Sequence, residues 1–441
     1  MSTSSAGQAM SEAATLEAQT MRRVQWRLMP FLIVSYLASV IDRGNIGFAS
    51  LQMNADIGLS HTLFGLAGGI FFISYFFCEI PSNVALERFG ARRWIARVMI
   101  TWGIVAGAMA FVAGPRSFLV LRFLLGAAEA GFFPGVILYL TYWFPTRYRA
   151  RMIGIFMVSI PVANALGSPL AGMLLQTDGI AGLHGWQWLF LAEAVPTVVL
   201  GVAALFWLTD QPSLAKWLPP QGRAWLSHTL EQEARARSQL LTHKPSLWTT
   251  LGDRRVLLLT LISAATTTAS TALAIWQPLI INSLGLDYLQ TGLVSAIPYV
   301  AASLAMIFWA RSSDRRGERI WHNAIPMIMV VVGFVGMLLV HSLWPVVTLL
   351  TVVMVGTYAC KGPFWSMATE WLPPPVAAVG IAQISALANL SGFFASWSIG
   401  AIRDVTGSFV LALTPLLGLC VVGTLSMIWL GISGSARRLE R

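Results

Sequence analysis

The sequence predicts an all-α membrane protein with twelve transmembrane helices in two six-helix halves. Its composition, its apolar runs and an internal repeat support this prediction. Of the 441 residues, 56% are hydrophobic and 11% are charged, whereas a soluble domain carries about 25% charged residues. The mean hydropathy is +0.68. A chain with so little charge cannot cover a water-facing surface, so lipid must be its solvent.

Twelve stretches are long and apolar enough to cross a bilayer, which takes about 20 residues in a helix. They cover residues 27–49, 61–85, 94–113, 117–141, 150–175, 187–209, 255–283, 289–310, 322–340, 343–369, 376–402 and 408–432.

These spans divide the chain into five parts. We predict a cytoplasmic tail at 1–26, a six-helix half at 27–209, a linker at 210–254, a second half at 255–432 and a tail at 433–441. The N-terminal tail is rich in Ser, Ala and Thr, which favours disorder. In the linker, Trp225, Leu226 and Leu230 share one face, which predicts an amphipathic helix on the cytoplasmic surface of the membrane.

Basic residues predict the orientation. With a cytoplasmic N-terminus, the outer side carries only Arg116 and Arg403 of the 29 Lys and Arg, as the positive-inside rule requires. Both termini are then cytoplasmic in a multi-pass inner-membrane protein. The net charge of +10 needs no nucleic-acid partner. Cys78, Cys360 and Cys420 lack metal or disulfide spacing, so we expect no metal or cofactor.

An internal repeat links the halves. "ERFGARR" follows the second span and "DRRGERI" follows the eighth, at an offset of 227 residues. Parallel six-helix repeats around a central cavity are a transporter architecture. We predict that these loops clamp helix ends at a cytoplasmic gate, and the alternative is a topogenic loop with chance spacing. The gate residues are Glu87, Arg88, Arg92, Asp314, Arg315 and Arg319.

The chain resembles the major facilitator superfamily in these features. The segments "IDRGNIGFA", "RFLLGAAEAGFFPG" and "GPFWSMATEWLP" are similar to its anion:cation symporter branch, which includes permeases for tartrate, phthalate, hydroxyphenylacetate and sugar acids. Asn83 departs from the family pattern, which has Gly there. The resemblance implies that an acid and an Arg of the first span, with an Arg and a Glu of the fourth, handle substrate and protons. Those positions are Asp42, Arg43, Arg122 and Glu129.

The same four residues emerge from the cost of burying charge, roughly 2.5–3.5 kcal/mol each on insertion scales. Asp42, Arg43 and Arg122 lie at one depth, and Glu129 lies seven residues after Arg122, about 10 Å deeper on the same face. A protonated carboxylate would release an Arg to bind a substrate carboxylate bidentately. We therefore assign Asp42 and Glu129 to proton coupling. The alternative is a structural Asp42–Arg122 salt bridge.

Most of the remaining candidates for substrate binding lie in the second half. Lys361 precedes Gly362 and Pro363, which disrupt a helix, and could offer a second cation or could merely snorkel. Glu79 and Glu193 are interpreted as structural. The full set predicted to bind substrate is Arg43, Arg122, Lys361, Gln277, Asn389, Tyr75 and Trp365.

Together these residues favour a monomeric symporter that imports a small organic carboxylate, tartrate-like or aromatic, with protons by alternating access. An organic-anion exchanger and a sugar-acid permease of the same fold stay open. A cation or drug antiporter needs an anionic pocket, which Arg43, Arg122 and Lys361 oppose. An enzyme is disfavoured because no HExxH or GxSxG motif is present and no His lies deep in a span.

Overall fold

The structure is a computed structural model that describes residues 2–240, 252–372 and 374–432. The predicted tail at 433–441 lies outside these residues. Within them, twelve helices are long and apolar enough to cross a membrane. They are α1 (Ser2–Asp56), α2 (His61–Phe89), α3 (Ala91–Ala108), α4 (Pro115–Trp143), α5 (Thr146–Leu175), α6 (Gly185–Trp207), α7 (Arg254–Asn282), α8 (Tyr288–Arg316), α9 (Ile320–Met337), α10 (Leu343–Trp371), α11 (Pro374–Thr406) and α12 (Phe409–Ile432).

Helix α1 is longer than the sequence suggested. It begins at Ser2, so the segment predicted as a disordered tail continues the first span as a helix. The reason is packing: Met21 and Val24 are buried in the core of the first half. Glu17 also accepts a hydrogen bond from the Tyr148 hydroxyl at 2.7 Å, at the start of α5. The tail therefore belongs to the helical bundle.

The linker contains a helix over Pro220–Leu240, which we call the linker helix. Its apolar face contacts protein rather than lipid, because Leu226 is fully buried against the first half. Glu233 accepts hydrogen bonds from the Thr146 backbone N–H at 3.0 Å and from the Thr146 hydroxyl at 2.8 Å. We call this end of the bundle the linker side and the opposite end the far side.

The two halves contact each other on the far side. Helix α2 packs on α11 so closely that a Cβ at Gly65 would collide with the Ser396 carbonyl, and one at Gly400 with the His61 carbonyl. Asp404 accepts hydrogen bonds across the same contact, from the Thr62 backbone N–H at 2.8 Å and from the Thr62 hydroxyl at 2.6 Å. The far side of the central space is therefore closed.

The fourth helix of each half is broken near its middle. Helix α4 consists of Pro115–Glu129 and Phe132–Trp143, and α10 of Leu343–Ala359 and Lys361–Trp371. In α4 the break needs glycine, because Gly131 has φ +87° and a Cβ there would collide with the Ser82 hydroxyl. The breaks place Glu129 at the end of one segment and Lys361 at the start of another.

Candidate functional site

A cavity with an empty volume of about 1440 Å³, its open mouth included, lies between the halves. Helices α1, α2, α4 and α5 line it from the first half, and α7, α10 and α11 from the second. Six of the seven residues predicted to bind substrate are in its wall. They are Arg43, Arg122, Lys361, Asn389, Tyr75 and Trp365.

Arg43 and Glu129 form an ion pair at the cavity wall, with Nε 2.8 Å from Oε1. Glu129 is only 1% exposed and accepts a second hydrogen bond at Oε1 from the Ser39 hydroxyl at 2.6 Å. The Arg43 guanidinium also lies 5.1 Å from the centre of the Tyr75 ring. This pair joins the first helix to the fourth, and its Arg faces the cavity.

Arg122 is 2% exposed and lies in the same wall. Its Nε donates to the Ala67 carbonyl at 3.4 Å, and its guanidinium stacks 5.0 Å from the centre of the Phe71 ring. Its Nη1 is buried with no hydrogen-bond partner in the described chain. The alternative in which Asp42 forms a salt bridge with Arg122 is wrong in this conformation, since no carboxylate of the described residues lies within 4.0 Å of Arg122.

Asp42 lies behind the wall rather than in it. The Trp102 indole N–H of α3 donates to one carboxylate oxygen, and Asn45 Nδ2 lies 3.4 Å from the other. The same Asn45 nitrogen donates to Glu193 Oε2 of α6 at 2.5 Å. The interpretation of Glu193 as an isolated structural residue missed this bridge, which the spacing of Asp42 and Asn45 on one face of α1 could have suggested.

The second half contributes one cation and many hydroxyls. Lys361 Nζ lies 4.9 Å from the centre of the Tyr358 ring and has no carboxylate within 4.0 Å among the described residues. The hydroxyl-bearing residues went unnoticed in the sequence because each looks like ordinary helix packing. They are Ser263, Thr266, Thr267, Ser270, Thr271 and Ser385.

Two residues lie elsewhere than predicted. Gln277 is not in the cavity wall, because it is fully buried and donates from Nε2 to the Ser295 carbonyl at 3.0 Å. Glu79, interpreted as structural, does line the cavity. The cavity wall thus carries Glu79 as a carboxylate that the sequence did not assign to it.

The first repeat loop clamps α3 to the linker. The Arg92 backbone N–H donates to Asp210 Oδ1 at 2.8 Å, and a Cβ at Gly90, where φ is +89°, would lie 2.9 Å from that oxygen. Glu87 and Arg88 are exposed and have no ion pair among the described residues. The partner of this loop, Asp210, was not predicted.

The second repeat loop clamps α8 to α10. Arg319 contacts Asp314 at 2.7 Å and Glu370 at 3.2 Å, whereas Arg315 is exposed. In the same loop, partial burial would raise the pKa of Glu318. Hydrogen bonds from His322 and from the Trp321 backbone N–H, with the charge of His322, together outweigh burial and hold the pKa of Glu318 below its usual value. The second loop therefore ties helix ends together within one half, whereas the first ties α3 to the linker.

Comparison with known proteins identifies the fold. A family model described as Major Facilitator Superfamily matches residues 32–396. The chain belongs to the major facilitator superfamily. This major facilitator protein also resembles the solved structure of a D-xylose–proton symporter, with a TM-score of 0.72 at 15% identity, covering 92% of this chain and 96% of that one.

Several of its relatives are bacterial transporters. It is 48% identical to the "Putative tartrate transporter" of Agrobacterium vitis over 410 residues, covering 93% of this chain and 94% of the relative. It is 40% identical to the "Quinolone resistance transporter" of Acinetobacter baumannii, covering 90% and 91%. The predicted superfamily and the twelve-helix fold are confirmed. The protein is a multi-pass inner-membrane transporter of a small molecule and not an enzyme.

Proposed function

We propose that this transporter imports a small organic carboxylate together with protons by alternating access. One observation carries the proposal. Arg122 and Lys361 line one cavity from opposite halves, and neither has a carboxylate within 4.0 Å among the described residues. A cation held away from water is costly unless it is paired. An anionic substrate would supply the missing partner for both.

The lining favours a hydroxy acid with one or two carboxylates. Arg binds a carboxylate bidentately through its planar fork, and Lys361 could take a second one as a point charge. The hydroxyls of α7 and α11 suit the hydroxyls of such an acid, and the Agrobacterium vitis relative has tartrate in its name. Tyr75 and Trp365 would equally suit an aromatic acid, and a sugar-acid permease would use the same groups.

Proton coupling would act through the Arg43–Glu129 pair. Protonation of Glu129 removes its charge and frees Arg43, which then joins Arg122 as a second cation beside the anion. Loss of that proton restores the pair and weakens the attraction for substrate. Asp42, 3% exposed behind the wall, supplies a second titratable carboxyl.

The contacts between the halves support the proposal of alternating access. The far side is closed by contacts between α2 and α11, while the cavity reaches Glu79 and Trp365 toward the linker side. The basic residues of the linker side support a cytoplasmic orientation of that side. The conformation is then inward-facing. Because one chain supplies both walls of the cavity, we expect the monomer to be the working unit.

The test is transport by Glu129→Gln in proteoliposomes, with labelled tartrate as the first probe and aromatic and sugar acids as competitors. We expect proton-driven accumulation to be lost and substrate counterflow to persist, because Gln can still accept a hydrogen bond but cannot carry a proton. Glu231→Gln is the matched control, since Glu231 is exposed on the linker helix and 65% of its side chain is accessible.

Two results would argue against the proposal. An equal loss of accumulation and counterflow in Glu129→Gln would make Glu129 a structural or substrate-binding residue. If an imposed pH gradient does not change accumulation by the parent protein and exchange is retained, the protein is an organic-anion exchanger instead.

A further inference from the structure

A second, smaller chamber lies between the halves, beyond the central cavity toward the far side. Its empty volume is about 330 Å³. Gly44, Asn164 and Ala274 line both spaces, so the chamber begins where the substrate cavity ends. Glu193 of α6, 7% exposed, lies in its wall. The chamber thus continues the central space between the halves beyond the substrate cavity.

Four buried polar atoms around this chamber have no hydrogen-bond partner in the described chain. Two belong to the first half, Glu193 Oε1 and Asn45 Oδ1, and two to the second, Gln277 Oε1 and Ser295 Oγ. A buried water typically makes two to four hydrogen bonds to such groups, and an unmade hydrogen bond is costly. The four residues that carry these oxygens line one small space, so water that enters it finds unpartnered acceptors and a hydroxyl beside it.

Glu193 is linked to Asp42 by a single side chain. The Asn45 amide nitrogen donates to Glu193 Oε2 at 2.5 Å and lies 3.4 Å from Asp42 Oδ1. Two carboxylates that accept from one donor repel each other when both are charged. The state in which one of the two carboxyls is protonated is therefore favoured, and the proton belongs to the pair.

The groups that face Glu193 from the neighbouring helices contain little charge. Helix α1 presents Asp42 and Asn45, α5 presents Asn164, and α7 presents Gln277. Helix α3 presents Trp102 to the same Asp42 carboxylate, and α8 presents Ser295 and the titratable Tyr299. In the described chain, no cation lines the chamber, so a charged Glu193 would have no counter-ion there. Asp42 also interacts electrostatically with Arg122, Arg43 and Glu129.

We propose that Glu193 is a third proton-binding carboxyl, that it receives protons from the far side through water in this chamber, and that it shares one proton with Asp42. In the transfer, a hydronium ion gives its proton to the Glu193 carboxylate and leaves as water. Opening of the far side would separate Gln277 and Ser295 from Glu193 and admit bulk water to it. The proposal rests on the proposed proton-coupled import.

The direct test is infrared difference spectroscopy of the purified full-length protein during a pH titration. We expect a carbonyl band of a protonated carboxyl group in the parent, which disappears in Glu193→Gln and stays in Glu231→Gln, a control on the exposed face of the linker helix. Glu193→Asp keeps a titrating carboxyl and should keep a band, which separates loss of the proton site from misfolding. If Glu193→Gln shows every carboxyl band that the parent shows, the proposal is overturned, whatever the transport data show.

The second test is uptake of labelled tartrate into proteoliposomes. It is driven by an acid pulse in the solution that contacts the far side of the protein. Removing a proton-transfer group should slow this uptake by about tenfold or more, with counterflow retained. Proton-coupled uptake that Glu193→Gln leaves unchanged would overturn this inference while the proposed function stands. No proton flux in the parent would instead overturn the proposed function. Uptake that is driven by sodium rather than by acid would make the chamber a cation site. It would also overturn the inference that Glu193 binds a proton.

Discussion

At the scale of single residues, the sequence identified the charged groups inside the membrane but not their hydrogen-bond and ion-pair partners. A charge inside a membrane must face a cavity or a partner, so Asp42, Arg43, Arg122 and Glu129 could be found from position alone. Neighbouring helical residues point about 100° apart. Arg43 therefore faces the cavity and Glu129, while Asp42 faces Trp102 of α3. The rotation of α1 that decides this comes from packing, which the sequence does not state.

The first residue-scale prediction concerns Arg122→Lys and Arg43→Lys. Both keep the charge but lose the planar fork, so we expect weaker binding of labelled tartrate by roughly tenfold for each. Equilibrium binding to the purified protein measures this. Arg116→Lys is the control, because Arg116 is exposed at the start of α4. A Lys variant that binds like the parent would show that its Arg does not hold the substrate.

At the scale of elements, hydropathy located the twelve membrane helices of the described chain. It did not give their exact ends, their breaks or their packing. The second span was predicted at 61–85 and runs over His61–Phe89, because its last turn is polar and hydropathy does not register it. The Gly131 break and the packing of the linker helix depend on contacts with α2 and α5. Such features need a second element in place and so cannot be deduced from one segment.

The contact between α2 and α11 gives a prediction at this scale. Asp404 accepts from the His61 backbone N–H at 3.1 Å, from the Thr62 backbone N–H at 2.8 Å and from the Thr62 hydroxyl at 2.6 Å. Hydrogen bonds to a charged group contribute about 1.5–3 kcal/mol each. Asp404→Asn removes that charge and one acceptor oxygen, so the closed far side should open more often.

Thiol labelling from the far side measures that opening. A single cysteine introduced as Ala171→Cys, in the wall of the small chamber, should react faster with a membrane-impermeant reagent when Asp404→Asn is present. The background replaces Cys78, Cys360 and Cys420. Asp287→Asn is the control, because Asp287 caps α8 by accepting from the Gln290 backbone N–H at 2.7 Å and joins no helix of the other half. Equal labelling in both variants would mean that Asp404 does not hold the far side closed.

In the whole molecule, two similar halves carry different chemistry. The repeated loops indicate the six-helix repeat in the sequence, yet Asp42, Glu129 and Glu193 all lie in the first half. The second half supplies Lys361 and a hydroxyl-rich wall. The division suits a transporter in which one half binds protons and both halves bind substrate. The direction in which the cavity opens was not predictable, because one sequence must support both the inward- and the outward-facing state.

This division predicts how the membrane potential drives uptake. In the proposed mechanism, Glu129 is one proton site and Asp42 with Glu193 is a second, so two protons can accompany each substrate. We predict that protons exceed the negative charge of the substrate by one. One positive charge then enters per cycle, which adds about 2.3 kcal/mol per 100 mV to the driving force. A pH difference alone supplies about 1.4 kcal/mol per unit for each proton.

The measurement is uptake of labelled tartrate into proteoliposomes under a potassium-diffusion potential, with equal pH on both sides. An inside-negative potential should raise uptake by the parent protein. Asp42→Asn should keep substrate binding, because Asp42 lies behind the cavity wall. Combined with Glu193→Gln, it should lose the voltage response, since neither amide can carry the second proton. If the potential does not change uptake by the parent, the two-site model is wrong. Asp42 would then act only as a fixed hydrogen-bond acceptor that holds Trp102 and Asn45 in place.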